Sequence, residues 1–251
     1  MLRLERHDGV SVCLIGRALA LFGDATSAPA HAGDEALAHA AGRHIEQLTG
    51  ALVPVLFARQ RHTSLTFVYA AEAPLQAGAH CVGACDALIT AETGVALCVR
   101  TADCLPVAVV GSDVIALIHA GWRGLAADIL GAVVRRIEVE FGIPSDELEA
   151  VIGVGVGPCH YPVGSEVVEA LARRPVTDGS WRGEGCVDLA AWARGRLQAL
   201  GLAANRGHAL PGCTACLPGY HSYRRDRERA GRQWSALLLT ERSDATGSAA
   251  S

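Results

Sequence analysis

The chain has 251 residues, half of them hydrophobic and 19% charged, which excludes a disordered polyampholyte and allows most of the apolar surface to be buried. A formal net charge of −4 gives no electrostatic basis for gripping a nucleic-acid backbone. Nine cysteines, an odd number with no export signal in the sequence, argue against a disulfide framework, so the thiols read as reduced.

The apolar stretch from Val10 to Phe22 is interrupted by Arg17 and lacks a small-residue cleavage site. It is too short and broken to span a bilayer and reads as strands, in a cytoplasmic protein with no membrane partner. Residues 34–50 read as a helix that Gly50 stops, with Leu37, Ala40, Ala41, His44, Ile45 and Leu48 on one face. Val53–Phe57 and Leu65–Tyr69 read as strands flanking the polar segment ARQRHTS, and Asp86–Thr90, Ala96–Arg100, Leu105–Val110 and Val114–His119 follow as further short strands.

A helix is then expected from about Leu125 to Phe141, closed by Gly142 and Pro144. Val151–Val156 reads as a glycine-spaced strand, Val163–Arg173 and Leu189–Leu200 as helices, and Gln233–Leu239 as the last strand. Regular βαβ alternation is missing, so the fold class is α+β: layered mixed sheets covered by helices, in one large domain or two small ones. Residues 241–251, ending in SDATGSAAS, read as a disordered tail. The glycines of GVGVGPCHYP do not form a dinucleotide site, because that motif must open a helix and Pro158 and Pro162 break one. The cluster Arg224-Arg225-Asp226-Arg227-Glu228-Arg229 alternates sign and reads as a solvated helix start or turn.

One segment carries chemistry. Leu105–Val110 and Val114–His119 flank Gly111-Ser112-Asp113, which is turn chemistry, and pairing Val109 with Val114 would set Cys104 opposite His119. Beyond His119 comes Ala-Gly-Trp-Arg-Gly, where Gly121 and Gly124 permit a tight turn and the helix start beside Arg123 offers an anion site. A thiol, an imidazole and an anion pocket thus converge. Taken alone, Cys104 also fits a core cysteine, His119 a hydrogen-bonded structural histidine, and Asp103 a cap or a hydrogen-bond anchor for the ribbon. Cys213-x-x-Cys216 lacks a thioredoxin setting, and a zinc ribbon would need a second pair, for which Cys81-x₃-Cys85 is the nearest spacing. It reads as a reduced pair in a loop near the site, while Cys159 fits either a pocket wall or a buried thiol.

TADCLPV and HAGWRG, in this order and at this distance, resemble the signature of the laccase-domain family, also called the YfiH, multicopper polyphenol oxidoreductase or FAMIN-like purine nucleoside phosphorylase family. RQRHTS at Arg59–Ser64, DALIT at Asp86–Thr90, GVGVGPCHYPVGSEV at Gly153–Val167 and CTACLPGYHSYRRDRERAGRQ at Cys213–Gln233 extend the resemblance, which covers roughly residues 31 to 239. Within the first thirty residues the family's loop is replaced by ALFGDATS.

The resemblance implies a single catalytic domain over residues 1–240, like that of YfiH proteins and of cytotoxic necrotizing factor catalytic domains. It also supplies a third partner, His62: in the family these positions, here His62, Cys104 and His119, bind one zinc ion and are catalytic. Two imidazoles and a thiolate leave a fourth tetrahedral position open, and such a set suits zinc, with copper as the alternative. The ten histidines contain no His-x-His pair of the kind a blue-copper oxidase uses, so polyphenol oxidation reads as a side activity.

What the resemblance implies chemically is a zinc-dependent purine nucleoside phosphorylase acting on adenosine, inosine and 5′-methylthioadenosine with phosphate, and also adenosine deamination. Arg43, Arg123 and His160 are the candidates for binding substrate, and His160 and Asp103 for carrying a proton. The alternative is a cysteine hydrolase, or a peptidoglycan-precursor editing factor, with Cys104 as nucleophile and His119 as base. A monomer or homodimer acting on small molecules is expected.

Overall fold

Short, mostly buried apolar runs divided by turns and helices build the strands of the fold. The computed structural model describes residues 3–29 and 31–241; from residue 242 onward the expected tail lies outside them. The N-terminal run forms β1 (Arg3–His7), β2 (Val10–Ile15) and β3 (Ala18–Gly23), followed by α1 (Asp34–Thr49). Next come β4 (Pro54–Phe57), β5 (Thr66–Tyr69), β6 (Gly78–Cys81), β7 (Ala87–Thr90), β8 (Ala96–Thr101), β9 (Leu105–Val110) and β10 (Ile115–Ala120). Helices α2 (Trp122–Ala126) and α3 (Ile129–Phe141) lead to β11 (Glu149–Ile152), α4 (Ser165–Ala172) and α5 (Leu189–Ala199). The chain closes with β12 (Gly207–Ala209), α6 (Tyr223–Asp226) and β13 (Gln233–Leu239).

These strands make two mixed sheets, one ordered β1-β2-β3-β13-β8-β4-β6 and the other β12-β11-β9-β10-β7-β5. Inward residues of both, among them Leu97, Leu237, Ala108, Leu117 and Val151, form the apolar layer between them. The outer face of the first sheet packs on Leu37, Ala41 and Ile45 of α1. The outer face of the second packs on α2–α5 through Leu125, Ile129, Leu130, Leu171, Trp192 and Leu197. The result is helix, sheet, sheet, helices, as the α+β pattern predicts.

The hairpin β9–β10 pairs Val109 with Ala116 and Pro106 with His119, two residues away from the expected register. The loop is longer than a tight turn: Gly111 N–H donates to the Val114 carbonyl, so Val110–Ile115 is the closing pair. A slip of two preserves the face, and Cys104 still lies on the side of His119.

The single helix expected over 125–141 is two helices. Asp128 sits between them at φ 68°, a left-handed conformation that Asp tolerates better than most residues. Its buried carboxylate accepts bonds from Arg196 Nε at 3.0 Å and Nη2 at 3.1 Å, a partner 68 residues away. Leu48, expected on the buried face of α1, lies in its last turn and is 41% exposed.

No described helix is long and apolar enough to cross a membrane.

Candidate metal centre

The site forms at one end of the sandwich, where β4, β8 and β10 finish and β7 and β13 begin. Past β4, the Gln60 side chain donates Nε2–H to the Arg100 carbonyl at 2.8 Å and accepts Arg100 N–H at 2.9 Å. That amide extends the contact with β8 and aims the next residues at the site. His62 follows at φ 60°, a strained position for histidine.

What holds this loop is Asp86, buried at the head of β7. Its carboxylate accepts backbone N–H bonds from Arg61, His62 and Thr63 and the Thr63 hydroxyl at 2.7 Å. It also accepts His119 Nδ1–H at 2.8 Å. One carboxylate therefore positions two histidines, His62 in the loop after β4 and His119 on β10. Burial alone would raise its pKa, but the bonds from His119 and Thr63 outweigh that and hold Asp86 well below the ordinary carboxylate range.

His62, Cys104 and His119 meet with their ligand atoms within 4.8 Å of one another. The two imidazoles lie edge to face, ring centroids 4.8 Å apart. Burial opposes ionisation of Cys104, yet the charges and hydrogen bonds of His119 and His62 bring its thiol down to about 6. Burial would likewise lower His119, but Cys104 and Asp86 raise it to about 9. With Nδ1 committed to Asp86, His119 turns Nε2 toward Cys104, the carboxylate–histidine arrangement of metal-ligating imidazoles. A sulfur and two nitrogens, one ring anchored by a carboxylate, fit a divalent cation of borderline softness.

Gly121 serves this cluster by being small. A Cβ there would stand 2.8 Å from Cys104 Sγ and 3.0 Å from His62 Cδ2. Its φ is −82°, so clearance rather than turn conformation requires glycine. Gly124 is similar, with 3.0 Å between a Cβ and the Thr63 carbonyl. The helix start expected to bind anions belongs to α2, which is only five residues long and too short to offer that site.

A cavity of about 510 Å³ opens beside the triad, walled by Trp122, Tyr161 and Tyr223 and by Arg100, Arg123, Arg224, Arg227 and Arg232. The arginine cluster is thus only partly the solvated turn that its alternating charges suggest. Arg224 is half-buried over the Tyr161 ring at 4.6 Å, while Arg225 braces the loop by donating to the carbonyls of Thr214, Leu217 and Tyr220.

Of the other expected site residues, Arg123 lines the cavity, whereas Arg43 is exposed on α1 away from its walls. His160 is outside the wall too, among Cys159, Cys213 and Cys216. Asp103 faces the cavity at φ 83°, but its carboxylate is taken by the Thr214 hydroxyl and Arg224 N–H, each at 2.6 Å. It acts as an anchor. Sequence reasoning missed Asp86 as the hub and Gln60 and Tyr161 as parts of the site; the signal for Asp86 was an acid directly before the apolar run ALIT.

Curated relatives match part of the chain. A purine nucleoside phosphorylase of Xylella fastidiosa is 40% identical over 160 residues, 59% of this chain and 58% of that protein. A protein named adenosine deaminase RL5, from an unknown prokaryotic organism, is 32% identical over 61% of each chain. The matched regions therefore span under two thirds of these relatives. Among solved structures, the YfiH protein of Bacillus licheniformis superposes with a TM-score of 0.82 at 23% identity, covering 95% of this chain and 99% of that one, which establishes the shared fold. The family profile described as multi-copper polyphenol oxidoreductase laccase matches residues 5–240, including the N-terminal strands whose loop sequence diverges. With the triad's Cys and His motifs inside a match of that length, the chain belongs to this laccase-like YfiH family.

Proposed function

We propose that the chain is a purine nucleoside phosphorylase that also deaminates adenosine. It would exchange the base of adenosine, inosine or 5′-methylthioadenosine for phosphate, releasing purine and the ribose 1-phosphate. The observation that carries the reading is the placement of the Cys104–His62–His119 cluster on the wall of an arginine-rich, ring-walled cavity of about 510 Å³, a volume suited to a nucleoside. Relatives named for both activities support it.

His62, Cys104 and His119 would hold zinc, since two imidazoles and a thiolate make a ligand set of the catalytic type. Bound there, zinc supplies a Lewis acid that lowers the pKa of water, the help that deamination at a purine ring carbon requires. The chain's own part is positioning. Asp86 fixes the His119 ring, and Trp122, Tyr161 and Tyr223 offer faces to the purine. Arg123, Arg224 and Arg227 hold phosphate for attack on C1′ of the ribose, stabilising charge as the bond to the purine breaks. The same donors take copper where it is abundant, and polyphenol oxidation is then a side activity.

The test is turnover of adenosine with and without phosphate, resolved by chromatography, together with metal content, on wild type, Cys104→Ala and His62→Ala. Phosphate-dependent adenine release and phosphate-independent inosine formation, both lost in folded variants, are expected. No turnover of any nucleoside by zinc-loaded protein overturns the reading. A cysteine hydrolase is the second reading, favoured by the Cys104 thiol at about 6 beside His119 at about 9, a thiolate–imidazolium pair. Covalent trapping of Cys104 in active, metal-free protein would select it.

A further inference from the structure

A second cluster of metal-type donors lies outside the cavity. Cys159 and His160 stand in the single turn Pro158–His160 that follows β11, and Cys213 and Cys216 in the loop after β12. The sequence offered Cys81-x₃-Cys85 as the partner for Cys213-x-x-Cys216, but the fold delivers Cys159 and His160 instead. The ligand atoms of all four lie within 4.8 Å of one another.

The individual spacings are those of a coordination shell. Cys159 Sγ is 3.5 Å from Cys216 Sγ, and His160 Nδ1 is 3.4 Å from Cys159 Sγ, 3.3 Å from Cys216 Sγ and 4.0 Å from Cys213 Sγ. A tetrahedral zinc with ordinary Zn–S and Zn–N bonds separates its ligand atoms by about 3.5–3.8 Å. Gly157 N–H also donates to Cys213 Sγ at 3.1 Å, an amide-to-sulfur bond that suits a thiolate ligand. Two residues from each of two loops supply a complete set of four, with no vertex left for substrate.

We propose that Cys159, His160, Cys213 and Cys216 form a structural zinc site that ties the loop after β11 to the loop after β12. The tie matters for the cavity next to it. Tyr161, which follows the first pair, lines the cavity under Arg224, and Thr214, inside the second pair, bonds Asp103. Closing the site fixes both anchors at once and removes His160 from the candidates for binding substrate. None of the four ligands lines the cavity, so this site is independent of the nucleoside reading.

The test is zinc stoichiometry on full-length protein purified anaerobically with reductant. Wild type should hold about two equivalents, a His62→Ala/Cys104→Ala variant about one, and Cys213→Ser/Cys216→Ser about one. Should the last variant misfold, cobalt-loaded Cys104→Ala decides. Its sulfur-to-cobalt charge-transfer absorption must come from the second cluster, and it should weaken in Cys104→Ala/Cys216→Ser. Absence of that absorption, equal metal content in wild type and Cys213→Ser/Cys216→Ser, or a Cys159–Cys216 disulfide in place of metal after anaerobic reconstitution, overturns the site.

Discussion

Asp86 Oδ1 accepts the His119 Nδ1 proton at 2.8 Å, and neither side chain is more than 4% exposed. The same carboxylate carries the backbone of Arg61, His62 and Thr63, so it sets the distance between the two imidazoles. Asp86→Asn keeps the size but loses the charge that fixes the ring. We expect metal affinity at the triad to fall about 10–100-fold, as when an outer partner of a metal-bound imidazole is removed. Competition with a chromophoric chelator measures it; unchanged affinity would mean that the ring is held by packing alone.

Gly121 gives a steric test. Its nearest neighbour is Cys104 Sγ, 2.8 Å from where a Cβ would be, whereas nothing lies within 4 Å at Gly179. Gly121→Ala should displace the thiol or the His62 ring, lose metal and turnover, and cost about 1–3 kcal/mol of stability as overpacking does. Gly179→Ala should leave metal content and turnover as in wild type. Metal analysis and thermal melts on the pair distinguish local displacement from general unfolding.

How far the sequence alone carries can be followed along the β9–β10 hairpin. Apolar runs and turn residues are local, so both strands and the shared face of Cys104 and His119 were legible. The register was not, because it depends on how the loop closes between Gly111 and Val114. The break at Asp128 was hidden because it answers to Arg196, far along the chain. Likewise, the partners of Cys213 and Cys216 depend on which strand ends the topology brings together. His62 came from family resemblance alone, since nothing in its spacing ties it to the hairpin. β6 and β12 are short edge strands, each a single histidine among small residues, which give no alternation to read.

Asp128 gives the pH prediction. Burial opposes its ionisation, but bonds to Arg196 and then Arg135 win and lower its pKa. A carboxyl lowered on folding adds stability that is complete above its unfolded value, about 3.9, and is lost as pH falls through the folded value. Asp128→Asn tolerates the left-handed backbone but leaves the buried Arg196 without a counter-charge. It should cost about 3–5 kcal/mol at neutral pH, with the gap to wild type narrowing as the solution is acidified below about pH 4. Urea melts across that range check both the size and the sign.

The arginines divide by position. Arg123 and Arg224 line the cavity, whereas Arg43 is exposed on α1 outside its wall. A charge-assisted hydrogen bond contributes about 1.5–3 kcal/mol, roughly 10–100-fold in binding. Under the phosphorylase reading, Arg123→Ala or Arg224→Ala should raise the phosphate KM by that factor. Deamination, which uses no phosphate, should change less, and Arg43→Ala should leave the phosphate KM within about twofold. Arg224→Ala also strips the cation from the Tyr161 ring, 4.6 Å away, so its nucleoside KM should rise as well, by about 0.5–2 kcal/mol or several-fold. Steady-state kinetics with phosphate and adenosine varied separately read these effects. Equal losses in both reactions for Arg123→Ala would assign that arginine to the nucleoside rather than to phosphate.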